Sequence, residues 1–440
     1  MKTRRELLSR VTRIGSRAVG AAACLLVLAK AQPAAALQPL DAFAASAHTQ
    51  NPDNAEARAL ERQRDAEFDT ATGRLLPSLN LLGQYTRNQY EALIPFAGQT
   101  LTIQQYNGLD AFITAAVPVL DLAAWQRRSA ARALFDAQLA SSENVALTVD
   151  RNVARAYYQL VGSESLLGSA KKSLDLSQKN LDYVHTRRDL GVATELDFQR
   201  ATADVARAKQ DVATAEQAAA NARRDIETIS GLTPEPVTAF PEDDLHDEPP
   251  IAFWLGGKLD DLVPVRYAAM LTAAQAKNRD AAVAAWYPTV TGQFQERFTN
   301  AAGFTGRNEY FTITAVLGWR FDFTIAPTVR AQNAALDAAA AREAKARRSV
   351  EDQIHQAYNQ VVAGIEKARA ARAQVEATAL AIELSRDRYA NGTATQLDVT
   401  QAQRDAFSAE VARISADADL AYARVLLRLS TRRAGAKEGR

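Results

Sequence analysis

The sequence predicts a mainly α-helical chain, built from two long antiparallel helical hairpins, with a smaller part made of paired β-strands. Three observations predict this fold: an internal duplication, a seven-residue spacing of apolar residues, and two segments in which apolar and polar residues alternate. The duplication is clearest at residues 191–197, Gly-Val-Ala-Thr-Glu-Leu-Asp, which recur 201 residues later, at 392–398, as Gly-Thr-Ala-Thr-Gln-Leu-Asp. The chain therefore contains two copies of one structural unit.

Residues 1–36 have the layout of a secretory signal peptide that is removed on export. A basic start is followed by an apolar stretch at residues 18–29 and by three alanines at 34–36. The apolar stretch is too short to span a bilayer. The adjacent arginines near the start also allow a twin-arginine signal, and Cys24 allows a lipid anchor, although it lies inside the apolar stretch. The chain is expected to be exported, with cleavage near residue 36.

Charge and composition exclude several classes of function. The 440 residues carry 52 basic and 51 acidic side chains; without residues 1–36, which hold 7 basic and 1 acidic residue, 45 basic remain against 50 acidic, a net charge of −5. This balance is not typical of a nucleic-acid-binding protein. One cysteine and four scattered histidines provide neither a disulfide framework nor a metal-ligand spacing. Phosphate-binding and hydrolase motifs are missing too, so the sequence predicts no enzyme and no cofactor.

Apolar residues recur every seven positions through both halves of the chain, the pattern of long helices that supercoil around their neighbours. In the first half, a row that includes Leu139 and Leu181 runs beside a row of mostly small residues from Val149 to Val184. No proline interrupts residues 123–190, so a continuous helix there would be about 100 Å long. The glycine of the repeated motif then allows a tight reversal, and its threonine and aspartate can cap the returning helix.

Ahead of each long helix the apolar pattern changes to a period of two, which predicts strands. The alternation covers residues 289–298 and 311–323 in the second half and, more faintly, 79–85 and 112–122 around a long loop in the first. Apolar-out strands with aromatic residues near their ends are typical of an outer-membrane β-barrel, and a half-buried sheet in a soluble domain is the alternative. Four strands are too few to close a barrel, so a barrel would require a symmetric oligomer.

The duplicated motifs, in their order, resemble the outer membrane efflux protein family, the TolC-like ducts. The resemblance is carried by residues 75–78 (Leu-Leu-Pro-Ser), by residues 117–121 (Val-Pro-Val-Leu-Asp) and by the two turn motifs, the second within residues 388–399. It implies a mainly α fold in which long coiled-coil helical hairpins form a trimeric α-barrel. Four strands from each chain would complete a shared 12-stranded barrel in the outer membrane.

The resemblance also divides the chain into parts. It predicts a first repeat at 37–231, an equatorial linker at 232–270, a second repeat at 271–430 and a basic tail at 431–440. Within the repeats it predicts an N-terminal helix, strand hairpins at about 76–121 and 288–323, and helical hairpins at about 123–230 and 328–429, with tips at 191–197 and 392–398. The acidic run at residues 242–248 falls in the linker and is interpreted as solvated rather than as a metal site.

The resemblance implies that the chain is the outer membrane channel of a tripartite efflux or type I secretion system. The implied partners are two further copies of the chain, a periplasmic adaptor (membrane fusion) protein, an inner-membrane pump of the RND or ABC class, and outer membrane lipid, with no nucleic acid among them. The alternative is a periplasmic coiled-coil adaptor or structural rod, which explains the helices and the export signal but not the paired strands. The sequence does not reveal the exported cargo.

The resemblance assigns roles to the tips of the helical hairpins and to the residues beside them. The predicted adaptor-docking residues are those of the two turns: Gly191, Val192, Ala193, Thr194, Gly392, Thr393, Ala394 and Thr395. The predicted gate and constriction residues are Asp398, Gln401, Asp197, Arg388 and Tyr389.

Each of the gate residues has its own expected role. Asp398 would project toward the pore, and Asp197, its counterpart in the first repeat, would cap a helix or contact the tip. Gln401 stands where family members often have a second acidic residue, so strong cation selectivity is not expected. Arg388 and Tyr389 would hold the closed state by hydrogen bonds between helices. The simpler alternative is that both aspartates only cap their helices and that Arg388 and Tyr389 are ordinary surface and seam residues.

Overall fold

A computed structural model describes residues 37–96, 98–237 and 243–432 of the chain. The predicted signal segment at residues 1–36 and most of the predicted basic tail lie outside these residues. The helices, in chain order, are α1 (Leu40–Gln50), α2 (Pro52–Gly73), α3 (Leu122–Asp189), α4 (Glu195–Ser230), α5 (Ile251–Leu255), α6 (Val263–Ala284), α7 (Ile325–Ala390) and α8 (Gln396–Ser430). The strands are β1 (Ser78–Arg87), β2 (Ala92–Phe96), β3 (Gln99–Gln104), β4 (Asn107–Leu120), β5 (Thr289–Thr299) and β6 (Glu309–Gly318).

Two long helical hairpins dominate the molecule. Helices α3 and α7 have 68 and 66 residues, which is about 100 Å each at 1.5 Å per residue. Each reverses through a short turn into α4 or α8, of 36 and 35 residues. The carboxylate of Asp121 accepts a hydrogen bond from the backbone N–H of Ala124 (2.8 Å) and so caps the start of α3. None of the helices in the described ranges has a stretch that is both long and apolar enough to cross a membrane.

Each helical hairpin closes over its own row of apolar side chains. Val149, Val153 and Leu160 of α3 pack with Ile226 of α4, and Phe43 of α1 covers this cluster. The second cluster joins Val350, Ile354, Val361, Leu420 and Leu427 of α7 and α8, and it includes Leu262 and Val265 next to and within α6. A Cβ placed at Gly364 would lie 3.2 Å from a side-chain carbon of Leu420, so α8 approaches α7 closely because glycine stands there.

The four longest strands form one antiparallel sheet in the order β1-β4-β5-β6. Strand β4 belongs to the first repeat and β5 to the second, so their pairing, with Asp110 opposite Thr299 and Ala115 opposite Phe294, joins the two repeats. Pro118 lies at an irregularity of this register, where a missing N–H disrupts the ladder least. Strands β1 and β6 are the edges of the sheet within the chain.

Side chains alternate between the two faces of this sheet, as the sequence predicts. One face is mostly apolar and exposed, with Leu79, Leu81, Phe294, Phe311 and Ile313 among its members. The other face carries mostly polar side chains, among them Asn80, Thr114, Gln293, Gln295, Thr312 and Thr314. Among the described residues, the chain therefore neither covers the apolar face of this sheet nor pairs its two edge strands.

The strand segments differ from the sequence prediction in two places. The predicted long loop of the first repeat contains a second, two-stranded sheet, formed by β2 and β3. In the second repeat β6 ends at Gly318, so Trp319, Phe321 and Phe323 lie beyond the strand and are exposed. The carboxylate of Asp322 accepts the backbone N–H of Thr324 (2.9 Å), a turn that directs the chain out of the sheet and into α7.

The segment between the repeats also contains helical structure. The short helix α5 is followed by a 3₁₀ turn at Leu259–Asp261 and then by α6, which begins inside the segment predicted as linker. Helix α6 packs against both α3 and α7. It therefore connects the two helical hairpins near the sheet end of the molecule.

The helical-hairpin tips as the candidate functional site

The two predicted tips adopt the same backbone turn. Gly191 has a φ of +74° and Gly392 a φ of +75°, in the left-handed region that glycine enters without strain. The N–H groups of Gly191 and Gly392 donate to backbone carbonyls three residues earlier, at 2.8 and 3.1 Å. No heavy atom lies within 4 Å of a Cβ placed at either glycine. Glycine is therefore required by the backbone angle rather than by crowding.

A capping box follows each tip and begins the returning helix. The hydroxyl of Thr194 accepts the N–H of Asp197 (3.2 Å), and the Asp197 carboxylate accepts the N–H (3.2 Å) and the hydroxyl (2.7 Å) of Thr194. Thr395 and Asp398 repeat this arrangement, at 3.3, 2.7 and 2.8 Å. Both aspartates therefore cap helices, the simpler of the two roles expected for them, whereas a role in the pore stays a prediction.

Capping also fixes the charge of Asp398. Hydrogen bonds from the backbone N–H and the hydroxyl of Thr395 hold the pKa of this carboxyl below its ordinary range, because they stabilise the charged form. The side chain is exposed to solvent. Asp398 is thus an ionised, accessible carboxylate at neutral pH, one turn from the end of the molecule.

Most of the other predicted tip residues are also exposed. Gly191, Val192, Thr194, Gly392, Thr393 and Thr395 are exposed or lie at the surface, while Ala193 and Ala394 are half-buried. Gln401 is exposed and donates a hydrogen bond to Asp405, one turn further along α8 (2.8 Å). The tips therefore present backbone and small side chains to solvent, a surface that a second protein can approach closely.

Tyr389 is the buried member of the predicted gate residues. Its side chain is 8% exposed, and burial raises the pKa of its hydroxyl. Its ring packs edge-on against that of Tyr183, with the centroids 6.0 Å apart. Arg388, by contrast, is exposed, and its backbone carbonyl accepts the N–H of Thr393 (2.9 Å) within the turn.

Arg187, which lies 201 residues before Arg388, connects the two tips. Its guanidinium lies over the ring of Tyr389, 4.8 Å from the centroid, and donates to the Tyr389 backbone carbonyl (3.2 Å). It also donates to the Tyr183 hydroxyl (3.0 Å). No local signal could have identified this contact, because its acceptor is a main-chain atom 202 residues away.

Asp243 and Glu248 of the acidic run form an ion-pair anchor, whereas Asp244 and Asp247 are exposed, so the interpretation of the run as solvated is corrected only for the two anchor residues. Arg424 of α8 is 5% exposed and binds Asp243 (2.7 Å), Glu248 (2.5 Å) and the backbone carbonyl of His246 (2.7 Å). Burial opposes the charged form of Arg424, but hydrogen bonds to Asp243 and Glu248 outweigh it and raise the pKa. Asp244 binds the ring of His246 (2.5 Å). Asp243 and Glu248 therefore hold the linker on α8.

The family model described as Outer membrane efflux protein matches residues 44–232 and 265–431. The chain belongs to the outer membrane efflux protein family. Each matched range contains one strand pair of the main sheet and one helical hairpin. Comparison with curated protein sequences gave no match.

Three outer membrane channels are among the solved structures with the same fold. The outer-membrane channel OprN is 22% identical, with a TM-score of 0.75 over 89% of each chain. CmeC of Campylobacter jejuni is 14% identical, with a TM-score of 0.77 over 90% of this chain and 86% of that one. The open state of MtrE of Neisseria gonorrhoeae is 19% identical, with a TM-score of 0.74 over 90% and 89%. At these identities the likeness concerns the fold.

Family membership confirms the resemblance and the TolC-like fold class that the sequence predicts. The efflux protein is an outer membrane channel of the kind that serves tripartite efflux systems, and the family is one of channels rather than enzymes.

Proposed function

We propose that three copies of this efflux protein form one continuous duct across the outer membrane and the periplasm. The observation that carries this proposal is the sheet: four strands, an apolar exposed face and two open edges in each chain. Pairing β6 of one copy with β1 of the next would satisfy both edges and close a barrel of about 12 strands. The long helical hairpins would continue this barrel into the periplasm, after export directed by residues 1–36.

The apolar face of the sheet is then the surface that meets outer membrane lipid. Exposed aromatic side chains gather beyond the helix-proximal end of the strands: Trp125, Trp286, Tyr287, Trp319, Phe321 and Phe323. Aromatic side chains favour the boundary between hydrocarbon and headgroups. This belt marks the periplasmic boundary of the membrane in the proposed duct.

The hairpin tips are the proposed docking surface for a periplasmic adaptor. Both tips of a chain have the same turn and the same capping box, so a trimer offers six nearly equivalent turns. Residues 191–194 and 392–395 would contact a hexameric adaptor, which in turn connects the duct to an inner-membrane pump of the RND or ABC class. The pump and adaptor, rather than the duct, would select the cargo.

Asp398 and Gln401 are the proposed constriction at the periplasmic entrance, with Arg388, Tyr389 and Asp197 beside them. The exposed, ionised carboxylate of Asp398 supports this assignment, because three such groups around one axis would attract cations. With Gln401 in place of a second acid, the attraction would be moderate.

Two measurements test the proposal. Fractionation and electrophoresis should find the protein in the outer membrane as a trimer that resists SDS; a soluble periplasmic monomer would instead support a coiled-coil rod or adaptor. In planar bilayers, Asp398→Asn should weaken the block of the pore by divalent cations. If the variant has wild-type conductance at low cation concentration and its block by divalent cations is unchanged, Asp398 does not belong to the constriction.

A further inference from the structure

A groove lies directly beyond the helix-proximal end of the main sheet. It has a volume of about 700 Å³ and is bounded by α3, α6 and α7, which follow β4, precede β5 and follow β6. A smaller hollow of about 240 Å³ shares Ala282, Ala285 and Thr328 with the groove and extends it toward Arg320, beyond the end of β6. A cavity of this size can hold a small organic molecule.

The groove opens on the side of the helices that continues the polar face of the sheet. Trp125 of α3 belongs to the exposed aromatic belt, and Arg127, two residues on, lies about 200° further around the helix and lines the groove. After β6 the rings of Trp319 and Phe321 lie together, with their centroids 4.8 Å apart, whereas Arg320, between them in the chain, lines the hollow. In the proposed duct the belt faces lipid, so the groove faces the lumen.

Helices α6 and α7 contribute only uncharged side chains to the groove, within the part of the chain that the structure describes. On α6 the lining residues are Gln275, Asn278, Ala281, Ala282 and Ala285, and on α7 they are Thr328, Gln332 and Ala335. Asp280 and Arg330 are each two positions beyond a lining residue, Asn278 or Thr328, and so lie about 200° away, on the opposite face of their helix. The charges that bear on the groove are therefore those at its two ends.

Arg127 is an unpaired cation at one end of the groove. Its side chain is exposed, and it forms neither an ion pair nor a hydrogen bond with any residue that the structure describes. At the other end Arg320 donates to the carboxylate of Asp322 (2.6 Å), so the two charges compensate each other. Gln275 donates to the side-chain carbonyl of Gln332 (2.7 Å), which leaves the amide group of Gln332 available as a donor. One uncompensated positive charge beside amide donors favours an anionic ligand.

We infer that this groove binds organic anions from the lumen of the duct, namely molecules with a carboxylate, sulfonate or phosphate group on a compact apolar body. The guanidinium of Arg127 and the amides of Asn278 and Gln332 would hold the anionic group, and the alanines would contact the body. The inference rests on the proposed function, since a lumen exists only in the assembled duct. It leaves the choice of cargo to the pump and adaptor and names the chemical class that the duct wall retains.

The groove is far from the proposed constriction at Asp398. Arg127 is separated from Asp189, at the tip end of α3, by about 90 Å along the helix. Exposed charges are screened over about 8 Å at physiological ionic strength. Cations attracted to the entrance therefore do not compete with anions held next to the sheet, and the two sites can be tested independently.

Calorimetric titration of the purified protein in detergent with naphthalene disulfonate tests the groove. This dianion is too hydrophilic to enter micelles, and the corresponding bis(trimethylammonio)naphthalene has a similar shape and the opposite charge. Arg127→Gln removes the cation, and Ala285→Phe fills the part shared by the groove and the hollow without changing the charge. The matched control is Arg330→Gln, which removes an exposed arginine at the same level from the opposite face of α7.

The wild-type protein should bind the dianion and not the dication, and added salt should weaken the binding. Arg127→Gln should weaken it about tenfold, because a charge-assisted hydrogen bond is lost, and Ala285→Phe should abolish it. Arg330→Gln should match the wild type. A wild-type protein that does not bind the dianion would overturn the inference, and so would equal effects of Arg127→Gln and Arg330→Gln.

Conductance in planar bilayers separates this inference from the proposed function. If the protein forms no trimer and no pore, the duct is overturned, while calorimetry still decides whether the groove binds anions. If it forms a pore, blocking it with naphthalene disulfonate should require about tenfold more of the dianion in Arg127→Gln than in the wild type. Equal block in both would show that the groove does not face the lumen and would overturn the inference while the duct stands.

Discussion

Arg187 of α3 contacts Tyr389 of α7 in two ways: its guanidinium covers the ring at 4.8 Å, and it donates a hydrogen bond to the backbone carbonyl (3.2 Å). The two repeats are thus joined at their tips through the face of a ring and a main-chain oxygen. The tyrosine hydroxyl, which a latch made of side-chain hydrogen bonds would use, is not the atom that Arg187 binds.

Tyr389→Phe is therefore expected to change the local stability of the tip by less than about 0.5 kcal/mol, whereas Tyr389→Ala should cost about 3 kcal/mol, because it removes a buried ring and the surface on which Arg187 rests. Hydrogen exchange of the backbone amides at residues 387–393 measures both values. A phenylalanine variant as unstable as the alanine variant would show that the hydroxyl carries the contact.

The capping boxes predict equal effects at the two tips. Thr194→Ala and Thr395→Ala should each destabilise the first turn of the returning helix by about 1 kcal/mol, because one N–H loses its acceptor and the aspartate loses the hydroxyl, one of its two donors. Thr→Ser at the same positions keeps the hydroxyl and should have a much smaller effect. Exchange rates of the first-turn amides of α4 and α8 provide the comparison. Markedly unequal losses would mean that one tip is held by contacts other than its cap.

Asp398 gives its capping box a defined pH dependence. Because folding lowers the pKa of this carboxyl, its contribution is fully present above the pKa of an unfolded aspartate and is lost as the pH falls through the lowered value. The first turn of α8 should therefore be equally protected at pH 6 and 8 and should fray only in acid. Asp398→Asn should abolish the acid-dependent part, as followed by NMR or by exchange of the first-turn amides. Fraying that begins near neutral pH would contradict the assignment.

The anchor at Arg424 predicts a large loss of stability from one substitution. Arg424→Met should cost about 3–5 kcal/mol, because Glu248, with a side chain 6% exposed, and Asp243 would remain buried without a cation. Limited proteolysis within residues 243–250 and denaturant unfolding measure the effect. The control is Arg369→Met, since the Arg369–Glu366 pair is exposed and its loss should cost less than about 0.5 kcal/mol. Similar losses in both variants would show that the buried pairs contribute no more than exposed ones.

Features set by neighbouring residues could be predicted from the sequence, and features set by distant ones could not. The proline-free segment predicted to be helical at residues 123–190 corresponds to α3, Leu122–Asp189. The capping of both returning helices follows from a threonine and an aspartate three residues apart. The bond from Arg187 to the Tyr389 carbonyl, in contrast, joins residues 202 positions apart, and nothing in either local pattern indicates the partner.

The strands show a different limit of pattern reasoning. The run that forms β2 and β3 alternates only over five residues, 100–104, contains Pro95 and turns at Gly98, so its pattern is too short to predict a pair of strands. Its pairing depends on a φ of +80° at Gly98, which brings the two short strands together. Beyond Gly318 the alternation continues in the sequence, but Gly318 is paired with Thr289, the first residue of β5, so the strand ends with its partner. Period alone does not locate the end of a strand, because the end also depends on the length of the strand it pairs with.

Strand β4 lies between β1 and β5 in the sheet, so the sheet cannot be completed until the second repeat is available. Residues 121–288 separate β4 from β5, so a chain that enters the periplasm from its N-terminal end exposes the edge of β4 until all of them have followed. An unpaired edge next to an apolar face is prone to aggregate, and pairing over such a sequence distance is slow. The half-exported chain is therefore the vulnerable species in biogenesis, and a chaperone that covers strand edges would act during that interval.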